Sequence, residues 1–242
     1  VPSDLRIMIG DLVIPITPSE EYKEVYVASG KAVKNVTKTS KTDLKNLNGK
    51  IFYATSFNSS SLMALSAANG QLYKKIDFSS IPSDFKMVRN GNYMLLTTTN
   101  KPKLYVIDAN KGEVLKEIEI GKKPSSIAIS ETDGAAYVAN KQDGTISVID
   151  LKDMSVKETI DVLGNPSYLT LSYNEKQLYY LDGTTGTVYA LVKTPNYFVP
   201  YVSSPLFKSN NIKQIQFLDN KLYTFNRSSN ELEVFYTEGQ SK

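Results

Sequence analysis

Val, Ile, Leu, Tyr and Thr alternate with polar residues in short runs along most of this chain. Side chains of a strand point alternately to its two faces, so this pattern predicts half-buried strands. The clearest stretch predicts four of them, at 126–130, 135–140, 145–150 and 155–162. The joints between runs are turn chemistry: Asp133-Gly134, Asp143-Gly144, Asp182-Gly183, Asn69-Gly70 and Asn90-Gly91. Such dipeptides supply the positive φ that tight hairpins need. No window combines helical periodicity with helix caps.

The pattern repeats with a period close to 42 residues. A turn followed by an alternating strand begins at Gly30, Gly70, Gly112 and Met154. Pro-Ser precedes an inner strand at Pro2, Pro82, Pro124 and Pro166, the last two steps being 42 residues each. A third landmark, an aromatic or aliphatic strand residue, runs Tyr53, Leu96, Tyr137, Tyr180, Tyr223, with steps of 43, 41, 43 and 43. Four short antiparallel strands per unit, repeated in series, predict an all-β fold, a single β-propeller over residues 1–242. One such sheet has two apolar faces, and a ring lets each sheet cover its neighbour. Six units are expected, starting near residues 2, 41, 82, 124, 166 and 210. The first is the least regular, with strands near 5–9, 12–16, 24–29 and 32–37. The sixth stops after its third strand, 231–236, so either that blade is short of an outer strand or the natural chain continues. Five blades with an N-terminal extension is the structural alternative.

The fourth unit resembles the YVTN-type propeller repeat. The matching residues are Pro124-Ser-Ser-Ile-Ala-Ile-Ser, Asp133-Gly134, Tyr137-Val138-Ala139-Asn140 and Gly144-Thr-Ile-Ser-Val-Ile-Asp150. The third unit, Leu104-Tyr-Val-Ile-Asp-Ala-Asn-Lys-Gly-Glu-Val, is similar to the related PQQ-type repeat. The outer units match in spacing and polarity. The resemblance implies a WD40-like ring of blades, often found in secreted, periplasmic or cell-surface proteins. It implies little about activity, because function sits in sites grafted onto a fold. It does not bring a cofactor: quinoprotein relatives stack PQQ on Trp and haem-binding relatives use His, and this chain has neither residue. No cofactor is expected.

Composition narrows the chemistry further. The chain lacks cysteine as well as histidine, which removes disulfides, thiolate catalysis and every Ser-His-Asp or Cys-His arrangement. An all-oxygen metal site or a pair of carboxylates remains open. With 28 basic and 25 acidic side chains, a net +3, charge alone points to neither nucleic acid nor a membrane surface. No stretch approaches the roughly 18 apolar residues of a spanning helix. The opening Val1-Pro2-Ser3, without Met, is read as a mature chain after leader removal or as a cut domain.

Three groups are candidate sites. Arg6, Lys45, Lys86 and Lys213 stand at comparable places of the inner strands, with Arg89 nearby, and could hold a carboxylate, a phosphate or an acidic peptide; Ala128 and Thr170 replace them in the fourth and fifth units. The plainer explanation is solvated or ion-paired residues, since Asp4, Asp43 and Asp84 sit two residues earlier. Those aspartates are themselves a candidate Ca²⁺ or lactonase-like cluster, though the other units offer Ser126, Tyr168 and Asn211 there, and aspartate at a strand start is ordinarily a turn former. Finally, Tyr173, Tyr179, Tyr180, Tyr189, Tyr197 and Tyr201 crowd the fifth unit around a longer connection, Thr194-Pro-Asn-Tyr-Phe-Val-Pro-Tyr201. An irregular insertion in a repeat often marks a contact loop, so Tyr197, Phe198 and Tyr201 are the candidate contact residues. Packing of aromatics between blades is the alternative for them. No catalytic residue and no metal ligand is assigned. The expected function is a non-catalytic, extracytoplasmic protein-binding or scaffold module, a cell-surface or filament component able to self-associate and holding a protein or surface polymer. A metal-dependent hydrolase or enzyme subunit working at the axial channel is the second reading, and a nucleic-acid-binding propeller the third.

Overall fold

A computed structural model describes residues 5–9, 12–16, 25–26, 32–33, 51–56, 58–67, 69–88, 91–194, 198–200, 206–208, 212–218, 221–226, 229 and 231–236. Its elements are all strands. The chain divides into two compact units, Val1–Asn100 with Leu104–Glu117, and Lys101–Lys103 with Ile118–Lys242.

In the first unit, β1 (Leu5–Ile9) and β2 (Leu12–Ile16) form a hairpin, and β3 (Val25–Tyr26) pairs with β4 (Ala32–Val33) in a ladder of their own. Three strands follow: β5 (Ile51–Ser56), β6 (Ser61–Ser66) and β7 (Leu72–Asp77). β1 pairs antiparallel with β5, Ile7 opposite Ala54, so the sheet order is β2-β1-β5-β6-β7. The first four strands were expected to make one sheet, and a strand after residue 41 was expected beside β5. Instead β1, with Leu5, Ile7 and Ile9 alternating, holds that edge. Next come β8 (Pro82–Met87), β9 (Tyr93–Thr98), β10 (Lys101–Asp108) and β11 (Glu113–Glu119), a four-stranded sheet in sequence order. The division between units runs through β10 and β11. In the first unit Leu62, Phe78, Phe85, Met94, Leu96, Tyr105 and Ile107 make one core, with Phe78 edge-on to Tyr105 at 5.0 Å. Tyr53 reaches across it and donates to the carbonyl of Ala109 at 2.6 Å. Burial first, then the charge of Asp108, pushes the Tyr53 phenol up to about 12.

The second unit holds β12 (Pro124–Ser130), β13 (Ala135–Asn140), β14 (Thr145–Asp150) and β15 (Ser155–Asp161), a sheet in sequence order. After it come β16 (Pro166–Leu171), β17 (Gln177–Asp182), β18 (Thr187–Lys193), β19 (Phe198–Pro200) and β20 (Phe207–Lys208). Both β19 and β20 pair with β18, so the Pro-bearing connection, expected as a loop, supplies part of the outer strand. The last sheet is β21 (Ile212–Leu218), β22 (Lys221–Asn226) and β23 (Glu231–Tyr236).

The Pro-Ser landmark has a physical cause. Pro82, Pro124 and Pro166 open their strands opposite Thr98, Asn140 and Asp182, and the register shifts immediately afterwards. Proline lacks the N–H that a ladder needs, so it fits the first position of a strand beside a bulge. Register also corrects the aromatic landmark. Ala128 faces Tyr137 and Thr170 faces Tyr179, so Tyr137 corresponds to Tyr179, and Tyr180 to Val138. The uneven steps of 41 and 43 were the trace of this offset.

The sheets of the second unit pack face to face. Tyr137, Ala139, Ile146 and Val148 meet Leu178, Tyr180 and Leu191 in one core; Tyr179, Leu181, Val188 and Ala190 meet Ile212, Ile215, Phe217 and Leu222 in the next. Side-chain hydroxyls stitch consecutive inner strands: Leu169 N donates to Ser126 Oγ at 3.1 Å, and Phe217 N to Thr170 Oγ1 at 3.0 Å. Each such bond nets about 1 kcal/mol, and each spares a buried N–H the larger cost of going unpaired.

Candidate functional site

At one end of the second unit a polar network joins two sheets. The β12–β13 turn, Glu131–Gly134, meets the β16–β17 turn and the end of β18. Glu175 of the second turn accepts from Ser130 Oγ at 2.7 Å, Thr132 N at 3.0 Å and Glu131 N at 3.2 Å. Its own backbone takes a φ of 54° to do so, a conformation that side chains with a Cβ seldom adopt. Asp133 accepts from Lys193 Nζ, an ion pair across the sheets, and from the Tyr137 hydroxyl at 3.1 Å. Burial pushes both carboxyls up, but hydrogen bonds outweigh it and hold them below the usual carboxylate range; for Asp133 the Lys193 charge adds to this. Burial, with Asp133 next to it, pushes the Tyr137 phenol up. Such carboxylates remain ionised acceptors near neutral pH, and their lone pairs are engaged in structural bonds. The network latches two sheets together.

A second polar position recurs, and the sequence reading missed it. Ser56, Thr98, Asn140 and Asp182 close the second strand of successive sheets, exactly one repeat of 42 apart. Asp182 accepts from Thr184 N at 2.9 Å, Asn165 N at 3.2 Å and Thr185 Oγ1 at 2.7 Å, which ties two connections to one carboxylate. A Cβ on Gly164 would lie 2.5 Å from Asp182 Oδ2, so the close approach itself demands glycine. The signal was legible: a polar residue ending each apolar strand, opposite the residue that opens the inner strand, Leu5, Pro82, Pro124 or Pro166.

The residues singled out from sequence are placed as follows. Lys86 lies on β8 opposite Leu95. Arg6 lies on β1 opposite Thr55, the place that Asp84 occupies opposite Thr97 on β8, and Lys213 falls in the register shift of β21 between Ile212 and Gln214. These three cations therefore occupy different repeat positions rather than one series. Lys45 and Arg89 lie outside the described residues, as do Asp4 and Asp43. Asp84 accepts from the N–H of Phe85 at 2.8 Å. Among the described residues no group of three or more carboxylates converges as a metal site. Tyr197 and Tyr201 lie outside the described residues. Phe198 is interior, 4% exposed and edge-on to Tyr137 at 5.2 Å, so it gives no surface to a partner. Tyr179 and Tyr180 are likewise packed inside, stacked on Phe217 and Tyr189; Tyr173, at the tip of the β16–β17 turn, is 86% exposed.

Among the described residues, exposed apolar side chains gather on the last sheet. Leu218, Phe225, Leu232 and Val234 are all exposed. Phe225 pairs with Leu232 and Tyr223 with Val234, which sets these side chains on one face, opposite to the face that carries Leu222 into the core.

No protein-family model matches the chain, and no curated protein matches it either. Solved structures do. A chain of the mitotic checkpoint complex superposes with a TM-score of 0.69 at 11% identity, over 87% of this chain and 63% of that one. Hydrazine synthase of Kuenenia stuttgartiensis superposes at 0.57 and 16% identity, over 84% of this chain and 69% of that one. Both are propeller-type folds. This chain is a β-propeller. At these identities the likeness is one of fold. Its sheets are blades, and the Glu175 and Asp133 contacts are a latch between two neighbouring blades. Among the described residues no helix is long and apolar enough to cross a membrane.

Proposed function

We propose that this propeller is a non-catalytic protein-binding or scaffold module of the YVTN/PQQ-like repeat family, working outside the cytoplasm. The observation that carries the binding reading is the open apolar face of the last blade, Leu218, Phe225, Leu232 and Val234. Apolar residues gathered on one exposed face of a sheet mark an interaction surface more often than chance placement does. The polar networks support the same reading from the other side. Asp133, Glu175 and Asp182 are held ionised by structural donors, an arrangement suited to rigidity rather than to proton transfer. The extracytoplasmic placement rests on the repeat resemblance.

The test is binding measured against turnover. The purified chain is immobilised and exposed to the extracytoplasmic fraction of its source, and the same chain is assayed for lactone hydrolysis with and without divalent cations. The expected result is saturable capture of a defined protein or surface polymer, weakened at least tenfold by Phe225→Glu. Metal-dependent turnover abolished by a chelator would overturn the reading in favour of an enzyme. Recovery of the native protein only from the cytoplasmic fraction would overturn the placement.

A further inference from the structure

We infer that the β16–β17 turn is a docking tip, on which a partner protein lays an arginine side chain over the ring of Tyr173. This rests on the binding reading and names the contact chemistry. Tyr173 is 86% exposed, more than any other large apolar or aromatic side chain among the described residues. Its neighbours hold the turn. Ser172 Oγ donates to Asn174 Oδ1 at 2.7 Å and accepts from Gln177 N at 3.0 Å, and Asn174 Oδ1 also accepts from Lys176 N at 3.0 Å. The main chain closes the turn from Glu175 N to Ser172 O and from Ser172 N to Gln177 O, both at 2.9 Å. Glu175, in its left-handed conformation, is tied by its carboxylate to the preceding blade. Such a backbone persists only where its surroundings over-determine it, and functional sites concentrate it. The Tyr173 side chain takes no part in these bonds. One repeat of 42 earlier the same place carries Glu131, so the turn itself does not require the ring.

A tyrosine offers a large contact area with few side-chain torsions to fix, so little freedom is lost when a partner covers it. A turn that is already rigid lowers the cost of binding further. The charge around the ring selects the partner's side chain. The two turns and the end of β18 carry three carboxylates, Glu131, Asp133 and Glu175, against two ammoniums, Lys176 and Lys193. Lys193 pairs with Asp133. Glu175 is met by neutral donors, the Ser130 hydroxyl and the N–H groups of Glu131 and Thr132, so its negative charge is not cancelled. The face of a phenol ring is itself negative and attracts a cation within about 6 Å of its centre. Ring and carboxylate therefore favour the same ligand, a cation with a flat face. Arginine fits better than lysine, because its guanidinium is planar, more weakly hydrated and stacks on aromatic rings.

A display library of random linear peptides, selected on the whole chain and counter-selected on Tyr173→Ala, tests this. The selected peptides should carry arginine, and Tyr173→Ala should weaken them about tenfold or more, as loss of an interface anchor does. Tyr173→Phe, which keeps the ring, should bind as the unmodified chain does; Tyr173→Leu, which keeps apolar area without the ring, should not. With Tyr173 so exposed, all three variants should keep the urea midpoint of the unmodified chain, so that a loss of binding is not a loss of fold. Nitration by tetranitromethane reads the contact directly: a bound peptide should protect Tyr173 and leave Tyr93, 41% exposed on β9, reactive. Peptides that bind Tyr173→Ala equally well, or that are enriched in carboxylates or neutral residues instead of arginine, overturn the inference. If Phe225→Glu weakens capture from the source and Tyr173→Ala does not, the docking tip falls and the binding reading stands. A chain that selects no peptide and captures nothing sinks both.

Discussion

Ile146 and Leu232 hold the same place in the repeat. Ile146 pairs with Ala139 on the second strand of its blade, and Leu232 pairs with Phe225 on the second strand of the last. Yet Ile146 is fully buried and Leu232 is 62% exposed. Val148 and Val234, opposite Tyr137 and Tyr223, differ in the same sense. The local strand chemistry is alike in both blades. What differs is the neighbour: the face bearing Ile146 is covered by Leu178, Tyr180 and Leu191 of the following blade. In a propeller, whether an apolar strand residue is core or surface is thus decided by the adjacent blade, not by its own sheet.

The largest effect that can break this comparison is a matched truncation. Ile146→Ala should cost about 2–5 kcal/mol, since it empties a packed site that can relax only in part. Leu232→Ala should stay within about 0.5 kcal/mol in the monomer, as exposed substitutions do. Urea titration of the two variants reads both. Equal losses would mean that Leu232 is covered in solution, and concentration dependence of its loss would tie that cover to self-association.

Next in size is the polar closure of the second strand. Asp182 anchors Asn165 N, Thr184 N and Thr185 Oγ1, whereas Asn226, at the same place in the last blade, receives Ser229 N at 3.4 Å. Asp182→Ala should therefore destabilise by about 2 kcal/mol, because two N–H groups lose their acceptor. Asp182→Asn, which keeps an oxygen acceptor for these donors, should cost less than half of that. Thermal unfolding of the two variants decides it, and equal losses would show that the negative charge, not the acceptor alone, carries the anchor.

How legible these features were in the sequence follows from the range over which each is determined. Strand positions and turns are local. The 135–140 and 145–150 strands were read without error from alternation and from Asp-Gly pairs. Pairing partners are not local. Nothing in Leu5–Ile9 itself says that it will lie beside Ile51–Ser56, because a similar alternation serves any sheet edge. The candidate contact residue Phe198 failed for the same reason: an aromatic in a Pro-bearing insertion reads as a contact loop until β18 is seen to pair with it and Tyr137 to cover it. The inter-blade latch was invisible because Asp133, Glu175 and Lys193 lie far apart in the chain and belong to no motif.

A smaller effect comes from backbone strain within the repeat. Gly70 and Gly112 take a φ of 71° and 64° in the turn before the outer strand, and Met154 takes 49° at the corresponding place. A side chain with a Cβ is disfavoured there by roughly 1–2 kcal/mol. Met154→Gly should recover about 1 kcal/mol, the rest being offset by the greater freedom of glycine in the unfolded chain. A rise in the urea midpoint at constant m is the expected result. No rise would mean that the half-buried Met154 side chain packs well enough to outweigh the strain.

The smallest effect is also the most specific to the blade pair that the latch joins. The Asp133 and Glu175 carboxyls are depressed in the folded chain, burial opposing and hydrogen bonds prevailing. In the unfolded chain such groups titrate near pH 4. A depressed folded value means that the unfolded state takes up protons first as pH falls. The stabilisation is therefore complete above about pH 4 and is lost as pH drops through the folded values. Glu175→Gln removes one of the two titrations while keeping a side chain of the same length for Ser130 and Thr132. The variant should lose less stability than the unmodified chain between about pH 5 and pH 2, with the difference vanishing near neutrality apart from a constant offset. Parallel acid limbs would show that the carboxylate is not ionised through its bonds to the β12–β13 turn, and that the two blades are held by their apolar core alone.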